Sequence, residues 1–150
     1  MIKKIAIGVL ILLVVLQFVR PPRNLAEGIS ENDISKTYGI PDAVHSIFVE
    51  KCYDCHSNNT IYPWYTNVQP VGWWMNYHIE DGKKHLDFSE FKTYTDKKAN
   101  HKLEELSEMV VDGLMPIESY LWMHRNAKVS SEEVSMINNW IQSLGVKIKE

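Results

Sequence analysis

Residues 52–56, with the sequence Cys-Tyr-Asp-Cys-His, constrain this chain more than any other stretch and are called the pentad below. Two cysteines three positions apart, followed at once by a histidine, form the attachment signature of a c-type haem. Cys52 and Cys55 can each form a thioether to one vinyl group of the same porphyrin, and His56 then lies where its imidazole can bind the iron. The pentad therefore predicts one covalent haem c, with His56 as an iron ligand.

A Cys-x-x-Cys pair has two other common uses, in redox dithiols and in zinc sites. A redox dithiol of the thioredoxin type should follow a strand in a βαβ unit, and no such pattern surrounds Cys52. A structural zinc site usually requires four ligands, and the chain contains no third cysteine. Both alternatives are therefore weaker than haem attachment.

Length, charge and cysteine content limit the remaining possibilities. The 150 residues fit one domain plus a tail, and the net charge of -3 argues against a nucleic-acid partner. Because both cysteines lie in the pentad, a disulfide framework is excluded unless the two pair with each other before haem is attached.

The N-terminus resembles a targeting segment. Lys3 and Lys4 precede an apolar run over residues 5–19, and Arg20 and two prolines then end any helix. Because no Ala-x-Ala-like cleavage site follows, residues 1–23 are predicted to form an uncleaved single-pass membrane anchor. The lysines favour a cytoplasmic N-terminus and a haem domain on the periplasmic side. The polar residues 24–39 are predicted to be a linker.

Apolar residues at helical spacing predict an all-α domain over residues 40–150, with four or five helices around the haem. The first helix opens at Pro41 or Asp42 and delivers the pentad, and the second covers residues 71–81, with Gly82 at its end. After an irregular connection with a helical turn at residues 89–91, a third helix covers residues 98–112 and ends at Gly113. The last starts at Ser130 or Ser131 and stops before Gly145.

Aromatic residues are dense directly after the pentad. The loop 57–72 contains Trp64 among several tyrosines and prolines, and Trp74 lies on the following helix. Aromatic rings can pack on a porphyrin, and indole N–H groups can bond its propionates. Trp64 and Trp74 are therefore candidate haem contacts, although the same rings could simply fill a small core.

From about Pro41 to Leu144 the chain resembles a small c-type cytochrome. It is similar in particular to bacterial haem-binding domain proteins that carry the run 52–60, Cys-Tyr-Asp-Cys-His-Ser-Asn-Asn-Thr, followed by Tyr-Pro-Trp-Tyr at 62–65. Further matching features are Gly-Leu-Met-Pro at 113–116 after a middle helix and an acid-capped last helix bearing Trp140. The long aromatic insertion between Asn58 and Gly72 departs from ordinary cytochromes c. The resemblance implies export, because such proteins mature outside the cytoplasm.

The resemblance also implies a second iron ligand and a partner for His56. Gly-x-Met-Pro just past a helix resembles the distal methionine loop of class I cytochromes c, which makes Met115 the expected ligand. The competing candidates are Met75, His78, Met123 and His124, or an open site. The carbonyl of Pro70, rather than that of Pro63, is the expected acceptor for the His56 ring.

With both axial positions filled, the expected function is outer-sphere electron transfer to a redox protein that the sequence does not identify, and no enzymatic activity is expected. The alternative is a haem enzyme or gas sensor of the peroxidase type, with an open or histidine-ligated distal position and His124 and Arg125 as its polar pair. A third possibility is a structural module in which haem only holds the fold together.

Overall fold

A computed structural model describes residues 1–146 of the chain and shows an all-helical protein, which confirms the prediction of an all-α fold; these residues form eight α-helices, more than the four or five predicted. Within those residues, the β-type pairing is limited to an isolated bridge between Leu25 and Asn59. Three turns of 3-10 helix lie at Trp64–Asn67, Phe88–Thr93 and Arg125–Ala127. The α-helices are α1 (Ile2–Leu16), α2 (Ile34–Thr37), α3 (Asp42–Lys51), α4 (Tyr53–His56), α5 (Val71–His85), α6 (Asp96–Val111), α7 (Glu118–Leu121) and α8 (Ser131–Ser143). Residues 147–150, the last four of the predicted domain, lie outside the described part.

Helix α1 covers most of the predicted apolar run, and none of its residues is buried. Over residues 1–146, no helix combines the length and the apolar character needed to cross a membrane. The membrane anchor therefore stays a prediction.

The prediction that residues 24–39 form a linker is wrong, because this segment is part of the folded domain. Ile34 is fully buried in the main core, and Asp33 is 1% exposed. The Asp33 carboxylate accepts a hydrogen bond from the backbone N–H of Ser35 and so caps α2. The polar residues that suggested a solvated linker instead satisfy backbone groups and bond to the domain.

Helix α3 begins at Asp42 after Pro41, as predicted, and carries the chain to the pentad, most of which forms α4. Its apolar face packs into the core through Val44, Ile47 and Phe48. The ring of Phe48 stacks on Phe88 with centroids 5.0 Å apart. Burial of this face fixes the direction in which the pentad leaves α3.

Helix α5 does not end at Gly82, as the sequence suggested, but continues to His85. Gly82 is needed for a close approach between helices. A Cβ atom at this position would lie 2.8 Å from the carbonyl oxygen of Cys55. The glycine therefore lets α5 pack directly on α4, and the basic last turn of α5 marks its true end.

The two later helix ends follow the predicted signals. Gly113 has φ +66°, and the N–H of Leu114 bonds to the carbonyl of Met109, which closes α6 with a Schellman motif. Ser130 and Glu133 form a reciprocal capping box at the start of α8, and Gly145 follows its end with φ +80°. Helix α6 begins at Asp96, two residues before the predicted start, with Thr95 as its N-cap.

Candidate haem-binding site

A cavity of about 320 Å³ lies beside the pentad, between α4, the C-terminal half of α5, α6 and the segment after Gly113. Its volume falls at the lower end of the range for ligand pockets. The wall is mainly apolar, which suits a flat apolar ligand. The apolar residues that line it are Leu86, Phe88, Leu106, Met109, Val110, Met115, Pro116, Ile117 and Val129.

Both pentad cysteines line this cavity as free thiols. Burial raises the pKa of Cys52 to about 12 and that of Cys55 to about 11. The catalytic thiol of a redox dithiol needs a lowered pKa, since the thiolate is the reactive form. The environment of these two thiols therefore argues against a redox dithiol. It suits haem attachment, because both sulfur atoms lie at the wall of one apolar pocket.

The imidazole of His56 also lines the cavity, and a backbone carbonyl fixes its orientation. Its Nδ1 lies 2.8 Å from the carbonyl oxygen of Leu86. Because a carbonyl can only accept, Nδ1–H must be the donor, and Nε2 then carries the free lone pair that a metal requires. Burial lowers the pKa of His56 and so favours the neutral ring.

The predicted role of Pro70 as the acceptor for His56 is wrong. The Pro70 carbonyl accepts the backbone N–H of Trp74 at 3.1 Å and so belongs to the first turn of α5. Leu86 replaces it because α5 runs past Gly82 and ends beside the pentad. Because the sequence predicted that this helix ends at Gly82, Leu86 was not expected to lie beside the pentad.

Met115 lines the same cavity as His56. The Schellman turn at Gly113 reverses the chain, and the N–H of Met115 bonds to the carbonyl of Met109 at 3.2 Å. This contact holds the start of the Met115–Ile117 segment against the end of α6. Met109 itself also lines the cavity and is a second thioether there that the sequence did not single out.

The other candidate ligands divide clearly by position. Met75 is buried but does not line the cavity, and Met123 is 64% exposed away from it. His124 also lies outside the wall, where its ring stacks on Tyr120 with centroids 4.1 Å apart. His78 does line the cavity, with Nδ1 2.8 Å from the carbonyl of Trp74. His78, Met109 and His85, a further histidine of the wall, are therefore the alternatives to Met115.

The two tryptophans predicted to contact the haem do not line the cavity. Trp64 is 77% exposed in the loop after the pentad. Trp74 is 43% exposed and packs its ring on His78 at a centroid distance of 4.5 Å. Because α5 contacts α4 through its Gly82 end, its first turn, which contains Trp74, lies away from the pentad.

Two polar residues of the wall, Asp54 and Tyr120, were not foreseen. The Tyr120 hydroxyl donates to the Asp54 carboxylate at 2.7 Å. Burial, followed by the hydrogen bond and the charge of Asp54, raises the pKa of Tyr120. The bond joins the variable part of the pentad to α7, 66 residues away, and no local pattern in the sequence signals it.

Cationic groups lie at the edge of the cavity. Lys51 and Lys102 both line it, and their amino groups pair with Glu133 and Glu105, each at 2.6 Å. Such partly buried lysines fit the acidic groups that a porphyrin carries.

The fold and the site together define a small helical haem-binding protein, with two thiols, histidines and methionines around one mainly apolar cavity. The haem-binding domain family matches residues 11–143, and the chain belongs to this family. The match confirms the resemblance to haem-binding domain proteins and includes the segment 24–39 that packs on the domain. No curated protein and no solved structure matches the chain.

Proposed function

We propose that this protein is an electron-transfer cytochrome that carries one haem bound covalently through Cys52 and Cys55, with His56 and Met115 as axial ligands. The observation that carries this proposal is that all four side chains line the same cavity. The haem would supply the one-electron redox change, while the protein sets its potential and its access to solvent.

The residues around His56 support a role as the first axial ligand. The Leu86 carbonyl holds the ring in one tautomer, and this hydrogen bond also raises the basicity of the metal-binding nitrogen. The close packing of Gly82 on Cys55 holds the helix end that provides this carbonyl against the pentad. Cysteines, histidine and the orienting carbonyl are therefore supported by one rigid contact between α4 and α5.

Met115 is favoured over the other methionine of the wall by its local structure. Met109 lies within α6 and is 41% exposed. Met115 follows the Schellman turn and precedes a proline, so that its backbone is restricted on both sides. A thioether ligand favours ferrous iron, and the proposal therefore includes a relatively high midpoint potential.

Electron transfer rather than catalysis is supported by what surrounds Met115. Pro116 and Ile117, the wall residues that follow Met115 directly, have no proton donor or acceptor in their side chains, and the hydroxyl of Tyr120, the next wall residue along the chain, is bonded to Asp54. The pair expected to be distal in an enzyme or sensor, His124 and Arg125, does not line the cavity. His78 allows a second candidate for the site. Its position at the wall would allow a haem with two histidine ligands, His56 and His78.

The covalent attachment is tested by serine substitution of the cysteines. The single variants Cys52→Ser and Cys55→Ser should retain at most one thioether, and the double variant should retain none. Haem staining after denaturing electrophoresis measures the covalent fraction directly. Staining of the double variant at wild-type strength would overturn the proposal, and His45→Ala, which changes a residue outside the wall, serves as a control for expression.

The electron-transfer role is tested separately from attachment. The reduced holoprotein should be oxidised rapidly by a small outer-sphere oxidant such as ferricyanide, without binding of carbon monoxide to the ferrous form. A holoprotein that binds carbon monoxide readily would support the enzyme or sensor alternative. Slow exchange with the oxidant would instead favour a purely structural haem.

A further inference from the structure

The N-terminal apolar helix is joined to the haem domain by direct hydrogen bonds. The Gln17 side chain accepts the backbone N–H of Gln69 at 2.8 Å and donates to the Gln69 carbonyl at 3.2 Å. Gln69 is buried, and its own side chain accepts the N–H of Trp73 at 3.0 Å. The end of α1 is thus fixed to the start of α5.

Further contacts continue from this point toward the pentad. The indole N–H of Trp73 donates to the Val19 carbonyl at 2.7 Å, and the guanidinium of Arg23 donates to Asn67 at 2.5 Å. The Asn24 amide then donates to the carbonyl of Ser57, the residue after the pentad, at 2.7 Å. Because hydrogen bonds tie residues 17, 19, 23 and 24 to the domain, the orientation of α1 and the orientation of the haem site are coupled.

Exposed apolar side chains surround the junction between α1 and α5. We call the set formed by Phe18, Trp64, Val68, Val71 and Trp74 the docking face. All five are more than a third exposed, and Phe18 and Trp64 reach 82% and 77%. Phe18 closely follows α1 in the chain, and the apolar side chains of α1 are also uncovered.

The charges near the docking face have one sign. The first 26 residues contain Lys3, Lys4, Arg20 and Arg23, and no acidic residue. Arg20 and Arg23 flank the junction and are exposed. An apolar face with exposed indole rings and flanking cations has the chemistry of a surface that meets anionic phospholipid headgroups.

We infer that the docking face lies on the surface of an anionic lipid bilayer, with the apolar side chains of α1 in the hydrocarbon layer. The inference rests on the membrane attachment expected for α1, and it adds a fixed orientation of the domain. Trp64 and Trp74 are suited to the headgroup region, because an indole combines a large apolar body with one polar N–H.

The orientation has a consequence for the haem site. Helix α5 starts at the docking face with Val71 and reaches the pentad at Gly82. Eleven residues of α-helix rise by about 16 Å. The pentad is therefore held at about this distance along the α5 axis from the turn that contacts lipid, while His78 brings the nearest part of the cavity wall against Trp74. The redox site then remains close to the membrane instead of moving at the end of a tether.

Photocrosslinking of the full-length holoprotein to vesicles tests this orientation. The vesicles contain phosphatidylcholine and phosphatidylglycerol, with a phospholipid that carries a diazirine near its glycerol backbone. Mass spectrometry should find lipid adducts on α1 and on the peptide 64–74. Helix α8, which carries the exposed Met136, is the internal control and should carry several-fold fewer adducts.

The outcomes separate the orientation from the attachment itself. Adducts on α1 without adducts on residues 64–74 would contradict the contact between the docking face and lipid, but not the membrane attachment of α1. The absence of adducts on α1 would overturn both. Equal labelling on vesicles of phosphatidylcholine alone would overturn the requirement for anionic lipid.

A double variant tests the contacts between α1 and the start of α5. Gln17→Ala with Trp73→Phe removes both hydrogen bonds to Gln69 and the indole hydrogen bond to the Val19 carbonyl, and it changes no residue of the docking face. Adducts on α1 should persist, while adducts on residues 64–74 should fall several-fold as the domain loses its fixed orientation to α1. Unchanged labelling of residues 64–74 in this variant would contradict the coupling between α1 and the domain.

Discussion

The hydroxyl of Tyr120 and the carboxylate of Asp54 form a 2.7 Å hydrogen bond at the wall of the haem cavity. Asp54 belongs to the pentad, whereas Tyr120 lies in α7, a few residues after Met115. The bond therefore joins the side of the cavity that provides the cysteines and His56 to the segment that provides the proposed second ligand. The ring of His124 stacks on the ring of Tyr120 and helps to hold it in place.

Removal of this hydrogen bond should loosen the Met115 segment. Tyr120→Phe keeps the ring and its stacking on His124 but leaves one Asp54 oxygen without its donor. The loss of a hydrogen bond to a charged group should lower the free energy of unfolding of the holoprotein by about 1–3 kcal/mol. The absorption band of the iron–sulfur bond should also weaken.

Tyr62→Phe is the matched control for Tyr120. The Tyr62 hydroxyl accepts the backbone N–H of Asn24 at 2.8 Å and lies outside the cavity wall. Its loss should change stability but not the haem spectrum. An unchanged spectrum in Tyr120→Phe would show that the bond to Asp54 does not position Met115.

The packing of Gly82 on Cys55 predicts that an added methyl group damages haem attachment. In Gly82→Ala the new Cβ would lie 2.8 Å from the Cys55 carbonyl oxygen and 3.3 Å from its Cβ. Alanine should stabilise an ordinary helix interior by about 1 kcal/mol relative to glycine. Here we expect a net loss of about 1–3 kcal/mol, because α4 and α5 must separate.

Urea unfolding and haem staining measure the two effects of Gly82→Ala. Gly39→Ala is the control, since a Cβ there meets no atom within 4 Å. Wild-type stability and full haem incorporation in Gly82→Ala would show that the helices do not need this close approach.

The capping box of α8 makes the stability of the domain depend on pH. Burial alone would raise the pKa of Glu133, but hydrogen bonds from Lys51 and from the Ser130 backbone lower it overall. A carboxylate with a lowered pKa in the folded state stabilises the protein above the ordinary glutamate value of 4.5, and this stabilisation is lost as pH falls through the lowered pKa.

Glu133→Gln should therefore lower the free energy of unfolding at neutral pH by about 0.5–2 kcal/mol, the range for a lost cap with a partly exposed ion pair. The difference from wild type should shrink as the pH falls below 4.5. Chemical unfolding at several pH values measures this dependence. Glu132→Gln, in the same helical turn but outside the box, should have little effect, and an equal loss in both variants would contradict the role of the cap.

Local signals in the sequence were sufficient for most helix ends. Gly113 and Gly145 occupy positive φ angles that end helices, and Ser130 with Glu133 forms a capping box whose two members are three residues apart. Such features depend on neighbouring residues only, and they were predicted correctly. The pentad is also a local signal of five consecutive residues, and the covalent attachment of haem to it stays a prediction.

Contacts between distant residues account for the errors. Gly82 was predicted as a helix end, although it serves an approach to Cys55 that only the tertiary structure reveals. The acceptor of His56 is a backbone carbonyl, which any residue type could provide, 30 residues further along the chain. Residues 24–39 have the composition of a linker, and it is their burial and their hydrogen bonds to the domain that show otherwise.

The proposed second ligand leads to a prediction about ligand access. Met115→Ala should leave one axial position of the iron vacant, so that the ferrous form binds carbon monoxide. The midpoint potential should fall, because the thioether that favours ferrous iron is lost. Met115→His should restore two axial ligands at a lower potential. Met75→Ala should cost only packing, about 2–5 kcal/mol for a buried methionine.

The absorption spectrum of the oxidised holoprotein tests the central claim most directly. An iron–thioether bond gives a weak charge-transfer band at the long-wavelength end of the visible spectrum of a ferric haem. We predict that the wild-type protein and Met109→Leu show this band and that Met115→Ala does not. A wild-type spectrum without the band, or a band that persists in Met115→Ala, would contradict the assignment of Met115 as the second axial ligand.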